Sequence, residues 1–447
     1  MSNRFTKPSV LIVGSGEFGS ATAVELLRSG NYSDVTVLDR LETIPAVDAA
    51  STDINKVVRF DYADEEYAVL AHEAIQRWLR PEWKGIYFNT GCLVRGLTDP
   101  QSQRIYKNSL ALEPRTRLIH DPEEIRKVLS PSGKAVIGEK SLIKSFHNPQ
   151  GGWVHASGAI NKLYEDIDWL GGKIVTGADV YELIKNDDGS DVVGVRCRDG
   201  REFCADKIIM ATGSWTGAHP ALRGVFPDNL LVPTGQTVAA VQLTPEEHAR
   251  YADMPTIANL EGSGYYQFPP NQTGLVKFAI HAGGYILPSN IPRTAADPKA
   301  VEFTEKNRVG WIPRQSFKSM REKFAELWPE LARKPMAYTR MCWYSDTPDG
   351  NWVIDFAPQY PSLLIATGGA GHAFKFLPVM GELIRGRLEG HLPTNLVKKW
   401  AINREVPLVD LDRDGRPGRQ PLVLGDLTTL EELGPLAPNS EKRESRL

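Results

Sequence analysis

A chain of 447 residues with 41% hydrophobic residues and ten tryptophans exceeds what one small core requires and suits two domains. Its formal net charge of −3 gives no electrostatic reason to expect nucleic acid or an anionic membrane as partner, so a small molecule is the expected one. The four cysteines, Cys92, Cys197, Cys204 and Cys342, lack C-x-x-C spacing, which argues against a disulfide framework and a metal site and fits a reducing compartment.

The first apolar run, Val10 to Val13, stops at Gly14. It is too short for a signal-peptide core, and no later run approaches a membrane span, so an intracellular protein is expected. Ser9 to Val13 reads as a buried strand and Gly14-Ser15-Gly16-Glu17-Phe18-Gly19 as a tight turn. Ser20 to Arg28 follows as a helix with Ala, Val and Leu on one face, and Val35 to Leu38 as a second strand ending at Asp39. In such a βαβ unit the glycines let the backbone approach a pyrophosphate at the helix N-terminus. Asp39, roughly 25 residues after the first glycine, can accept hydrogen bonds from a ribose. The unit alone does not distinguish FAD from NAD.

Next comes Ser51-Thr52-Asp53-Ile54-Asn55-Lys56-Val57-Val58-Arg59, with two cations that are either surface charges or site residues. The Arg59 guanidinium has the fork geometry that suits a substrate carboxylate. Gly91 to Leu142 and Leu231 to Tyr338 mix β-prone runs, such as Thr237 to Val241 and Val276 to Ile280, with Pro and Gly turns. They are expected to form a second, sheet-rich domain capping the first. Lys277 interrupts an apolar strand, where burial is costly unless the amine has a partner or a task. Simple alternation would instead put Lys277 and His281 on a solvent face.

Lys207 to Gly213 and Leu363 to Gly369 are two further apolar strands that run into Ala-Thr-Gly. Together with the first unit they imply one nucleotide-binding sheet assembled from separated segments. The expected partition is 1–90, 143–230 and 339–395 for that domain, 91–142 and 231–338 for the substrate domain, and 396–447 for an irregular wrapping segment and loose tail. Cys342 would ordinarily be a small core residue, but it lies between Arg340 and the Trp343-Tyr344 pair, and a cation there favours thiolate. The terminal Ser445-Arg446-Leu447 is a conservative variant of the Ser-Lys-Leu peroxisomal address. Peroxisomal location is the expectation, with a cytoplasmic protein bearing a charged, disordered tail from Pro438 as the alternative.

These residues together resemble the FAD-dependent amine oxidases of the monomeric sarcosine oxidase family, which include pipecolate oxidase and the fungal fructosyl amino acid oxidases, or amadoriases. The resemblance runs from about Pro8 to Gly390. It is most specific where Cys342-x-Tyr344-x-x-Thr347-Pro348-Asp349 and Gly371-His372-x-Phe374-Lys375 match the family's flavin-linking and substrate-carboxylate motifs. It implies an α/β fold with a Rossmann-like FAD-binding domain of the glutathione-reductase type and a second antiparallel-sheet substrate domain.

It also implies FAD bonded through its 8α-methyl carbon to Cys342, a carboxylate clamp of Arg59 and Lys375, and Lys277 as the oxygen-activating lysine. Tyr344 and His281 would line the substrate pocket, with Lys56 beside the isoalloxazine. Gly14, Gly16, Gly19 and Asp39 take the family's ADP-binding roles. Glu17, Phe18, Arg40, Ser51 and Thr52, then Gly213, Gly369, Gly371 and Phe374, are the further implied cofactor contacts.

The implied reaction is oxidation of an N-methyl, N-alkyl or cyclic amino acid to an imine, with O2 reduced to H2O2, by a monomer. Lys56 leans toward the amadoriases, which carry lysine there. His281, where amadoriases have a sugar-holding glutamate, and Tyr344, where they usually have cysteine, lean toward sarcosine oxidase. A fructosyl amino acid oxidase is the near alternative and an NAD-dependent dehydrogenase the remote one.

Overall fold

Along Ser9–Val13, burial alternates between two cores. Val10 and Ile12 point into a core made with the helices Glu17–Ser29, Glu65–Trp78, Ala156–Trp169 and Leu377–Leu388. Leu11 and Val13 point the other way, against the three-stranded sheet built from Val180–Lys185, Val192–Cys197 and Glu202–Cys204. A strand apolar at every position is the sequence signature of a sheet covered on both faces.

That sheet has six strands in the order Val353–Ala357, Tyr360–Thr367, Lys207–Met210, Ser9–Val13, Asp34–Leu38, Lys173–Val175. All neighbours pair in parallel except the Val353–Ala357/Tyr360–Thr367 hairpin at one edge. The computed structural model describes residues 7–227, 230–260, 264–287, 312–407, 418–429 and 431–435. Ser445-Arg446-Leu447 therefore lies outside the described residues.

The first helix begins at Glu17, not at Ser20. Gly14 alone turns the chain, at φ 106°, and Gly19 has no Cβ to strike the Gly14 carbonyl oxygen. The turn is consequently shorter than its fingerprint, and Glu17 and Phe18 already sit on the helix with Ser20 N bonded to Gly16 O at 2.9 Å.

The second unit is a ten-stranded, predominantly antiparallel sheet whose far side packs on the helix Arg314–Leu327. Its spine is the pair Val232–Gln242 and Met336–Asp346, in register from Val232 opposite Asp346 to Ala240 opposite Tyr338, with a one-residue shift before Val241 meets Met336. Ser145–Asn148 and Met336–Asp346 belong to this sheet, although both fall in or across segments expected in the nucleotide-binding domain. Gln420–Pro421, from the expected wrapping tail, adds a short edge beside Tyr285–Ile286. We propose that the substrate-domain segments end near 148 and 346, where the strands end. Among the described residues no helix is long and apolar enough to cross a membrane.

Candidate active site

Alternation along two strands of the large sheet determines which side chains face the nucleotide-binding domain. On Met336–Asp346, Met341 and Trp343 enter the core behind the sheet, while Cys342 and Tyr344 face the other way with Val238 and Ala279. On Leu275–Ile280, Val276 and Phe278 join that rear core, so Lys277 and Ala279 lie on the front. The front is not solvent, because the Ala49–Lys56 segment covers it. Arg340 holds that segment, donating to Ala49 O at 2.7 Å and also to Thr52 O.

Lys277 is 0% exposed, so the solvent-face alternative for this side chain does not hold. Its ammonium donates to Asp53 Oδ2 and to Asn55 O, both at 2.7 Å. Lys56 bonds the same Asp53 oxygen and lies 4.0 Å from Cys342 Sγ. One buried carboxylate thus holds two lysines. Burial pulls Lys277 down to about 8, against the opposing pull of Asp53 and with the repulsion of Lys56. For Asp53, burial pushes upward, but Lys277, Lys56 and Arg340 outweigh it and hold the carboxyl below its ordinary range. Lys56 is also depressed by burial, yet Asp53 and Cys342 carry it above the ordinary lysine value.

A cavity of about 1050 Å³ runs between the two domains, at the upper end of what ligand sites occupy. Its lining takes in Gly14, Gly16, Glu17, Phe18, Asp39 and Arg40 from the nucleotide-binding unit, then Ser51, Lys56, Arg59 and Gly213, and His281, Tyr344, Gly369, Gly371, Phe374 and Lys375. Gly19, Thr52, Lys277 and Cys342 are not in the lining. Gly19 serves the turn, and Lys277 and Cys342 sit one layer back, behind Asp53 and Lys56.

At the nucleotide end, Asp39 is fixed by Ser15, whose N and Oγ donate to Oδ2 at 3.0 and 2.6 Å. Arg40 pairs with Asp48 and lies 4.2 Å over the Trp215 ring. Two buried oxygens on residues that line the cavity, Glu17 Oε1 and Asp61 Oδ2, have no hydrogen-bond partner, which is what a polar ligand would relieve. Burial raises Glu17 to about 8 despite the nearby charges of Lys375 and Lys56. With a bare glycine turn, a helix N-terminus and the terminal acid of the second strand, the residues present fit a dinucleotide such as FAD.

Elsewhere on the lining, Arg59 and Lys375 both lie over one ring, Tyr62. The Arg59 guanidinium is 5.6 Å from its centroid and Lys375 Nζ 5.2 Å. Burial first, and the Arg59 charge second, hold Lys375 well below the ordinary lysine value. A buried ammonium beside a half-buried guanidinium fits an anionic ligand. On the same cavity lining, His281 and Tyr344 lie with ring centroids 5.8 Å apart. Gly371, at φ 72°, approaches both so closely that a Cβ would collide with Tyr344 and come within 2.7 Å of His281 Cε1.

Sequence reading left Asp53, Tyr62 and His372 without roles. Asp53 and Tyr62 flank the two cations at short spacing, and His372 lies inside the quoted Gly-His-x-Phe-Lys motif, so position was the available signal. Arg340, expected to act on Cys342, does interact electrostatically with it while also donating to Ala49 O and Thr52 O, and Lys56 adds a second cation, its Nζ 4.0 Å from the sulfur. All four cysteines are free, and no group of three or more His, Cys, Asp or Glu among the described residues is placed to hold a metal.

Comparison with known proteins agrees with this geometry. The family described as FAD dependent oxidoreductase matches residues 9–387. L-saccharopine oxidase of Schizosaccharomyces pombe is 31% identical over 418 residues, spanning 88% of this chain and 92% of that protein. Monomeric sarcosine oxidase of a Bacillus species is 24% identical over 390 residues, spanning 86% and 92%. The crystal structure of fructosamine oxidase (Amadoriase II) from Aspergillus fumigatus superposes with a TM-score of 0.76 at 29% identity, covering 95% of this chain and 97% of that one. The match over nearly the whole chain supports FAD rather than NAD as the cofactor, and the chain belongs to the FAD-dependent oxidoreductases, with relatives of the monomeric sarcosine oxidase family.

Proposed function

We propose that this enzyme oxidises the secondary amine of an N-methyl, N-alkyl or cyclic amino acid to the imine, with O2 reduced to H2O2. The observation that carries the reading is the pairing of Arg59 and Lys375 on the Tyr62 ring in the same cavity that Tyr344 and His281 line. Two adjacent cations suit one carboxylate, and fixing it holds the α-amino region in the cavity beside the aromatic pair, so that orientation supplies much of the rate. FAD, when bound, supplies the two-electron acceptor. The chain's own residues bind, orient and exclude water.

Cys342, with Lys56 4.0 Å from its sulfur, is our proposed attachment thiol. Lys277, an ammonium tied to Asp53 behind the wall, is the proposed oxygen-activating cation. We also propose that the bound amine reacts in its neutral form. The cationic clamp lowers its pKa, so the rate of flavin reduction rises with pH through the titration of the bound substrate. A flat profile across the neutral to alkaline range would contradict this.

The second reading, a fructosyl amino acid oxidase, draws on the likeness to fructosamine oxidase. An imidazole at His281, in place of the sugar-holding glutamate of the amadoriases, weighs against it. Peroxide release from purified protein offered N-alkyl and cyclic amino acids alongside fructosyl amino acids separates the two. We further propose a monomer directed to the peroxisome by Ser445-Arg446-Leu447. Deleting those three residues should leave a tagged protein in the cytosol, and unchanged peroxisomal location would remove the proposal.

A further inference from the structure

Lys375 does not stand alone at the cavity wall. Its Nζ donates to Tyr62 Oη at 2.7 Å and to the His372 carbonyl at 2.6 Å. Tyr62 Oη lies 3.1 Å from His372 Nδ1, and His372 Nε2 lies 2.9 Å from Gly350 O. The lysine's own backbone is fixed as well, since Trp78 Nε1 donates to Lys375 O at 2.7 Å.

The proton positions in this chain follow from one end. A carbonyl oxygen only accepts, so His372 Nε2 must carry the proton toward Gly350. In the neutral imidazole Nδ1 is then bare and accepts, so the Tyr62 hydroxyl points its hydrogen at His372. The other acceptor within reach of that hydroxyl, His372 O, is 3.5 Å away and already receives Lys375. With its hydrogen committed, Tyr62 Oη turns lone pairs to Lys375. A protonated His372 would instead put another cation against a hydroxyl that already faces Lys375 and Arg59, which is the costly arrangement.

In the ammonium form, which a bound carboxylate favours, two of the three hydrogens of Lys375 are thereby taken by fixed acceptors, leaving one for that ligand. We propose that Tyr62 and His372 are positioning residues, a proton-ordered chain from Gly350 that holds Lys375 and aims its remaining hydrogen at a carboxylate. This rests on the reading of Arg59 and Lys375 as the carboxylate clamp. The chain makes the site one for carboxylate-bearing amines, since an amine without that group leaves the aimed hydrogen unpaired.

The test uses the flavin-loaded enzyme and propionate as the probe. Lys375 is acetylated with limiting acetic anhydride across a propionate series, and its labelling is read by mass spectrometry, so protection gives the affinity of propionate at this lysine. In the parent enzyme propionate should protect Lys375. In Tyr62→Phe, with flavin content retained, about tenfold more propionate or greater should be needed, the loss expected for a hydrogen bond to a charged group. Equal protection in parent and variant overturns the positioning role while leaving the clamp in place. No protection in the parent overturns the clamp itself, and this inference with it. Nitrogen-15 NMR of labelled histidine supplies an independent readout. His372 should show a bare Nδ1 and a protonated Nε2, and a proton on Nδ1 would overturn the ordered chain even if propionate binding fell.

Discussion

Replacing Asp53 with asparagine gives the most demanding test of the buried charge cluster. Asp53 is 5% exposed, with its carboxylate fully enclosed, and its Oδ2 accepts from both Lys277 and Lys56. The substituted amide would keep the volume and the Oδ1 bond to Ile54 N at 2.7 Å, but it would leave two ammonium groups facing one another around a neutral group. Removing one partner of a buried ion pair costs about 3 to 5 kcal/mol. For a chain of 447 residues unfolding as one unit, with about 2 cal/mol/K of unfolding entropy per residue, this is a fall in Tm of about 3 to 5 °C.

Calorimetry of the flavin-loaded Asp53→Asn protein measures the loss. The decisive arm is the double variant Asp53→Asn/Lys277→Met. It removes the stranded ammonium and puts an apolar chain beside Phe268, whose ring centroid is 5.0 Å from Lys277 Nζ. The double variant should recover at least about 1 kcal/mol of the single variant's loss. A single-variant loss below about 1 kcal/mol, or a double variant less stable than Asp53→Asn, would refute the reasoning.

Cys342→Ala should release the flavin on acid denaturation, where the parent protein stays yellow; flavin that remains attached in the variant means another residue makes the bond. Gly371→Ala should lose about tenfold or more in kcat/KM, because a Cβ at φ 72° would displace Tyr344 and His281, and kinetics within twofold of the parent would contradict the packing. Lys277 titrates at about 8 in the folded chain against an ordinary 10.5, so between those values the unfolded chain binds more protons and stability contributed at this site rises with pH. Denaturation of the parent and of Lys277→Met from pH 8 to 10.5 should show that rise in the parent relative to the variant, and parallel profiles would mean that Lys277 is not held down by burial.

The nucleotide-binding unit was legible because its signals are local. A fully apolar strand, a glycine turn and an acid at the end of the next strand fix one another within about 30 residues. Cys342, Tyr344 and Lys375 drew attention through motif resemblance, and of these Tyr344 and Lys375 line one cavity from separate segments. The charge network was not legible, because it depends on which segment covers which face. Alternation correctly put Lys277 opposite Val276 and Phe278, but it could not reveal that Ala49–Lys56 covers that face and turns a solvent position into a buried one. Met336–Asp346 was divided in expectation for a similar reason. Its residues read as the way back to the nucleotide sheet, while its register with Val232–Gln242 is a long-range pairing that no local pattern carries.

The central claim, a carboxylate-bearing secondary amine oxidised between the Arg59–Lys375 pair and the Tyr344–His281 pair, is tested most directly by peroxide production from the purified protein across sarcosine, other N-methyl amino acids, pipecolate, saccharopine and fructosyl amino acids. Turnover confined to the N-alkyl and cyclic amino acids is the predicted result. Turnover confined to the fructosyl substrates would contradict it and assign the cavity opposite the two cations to a sugar.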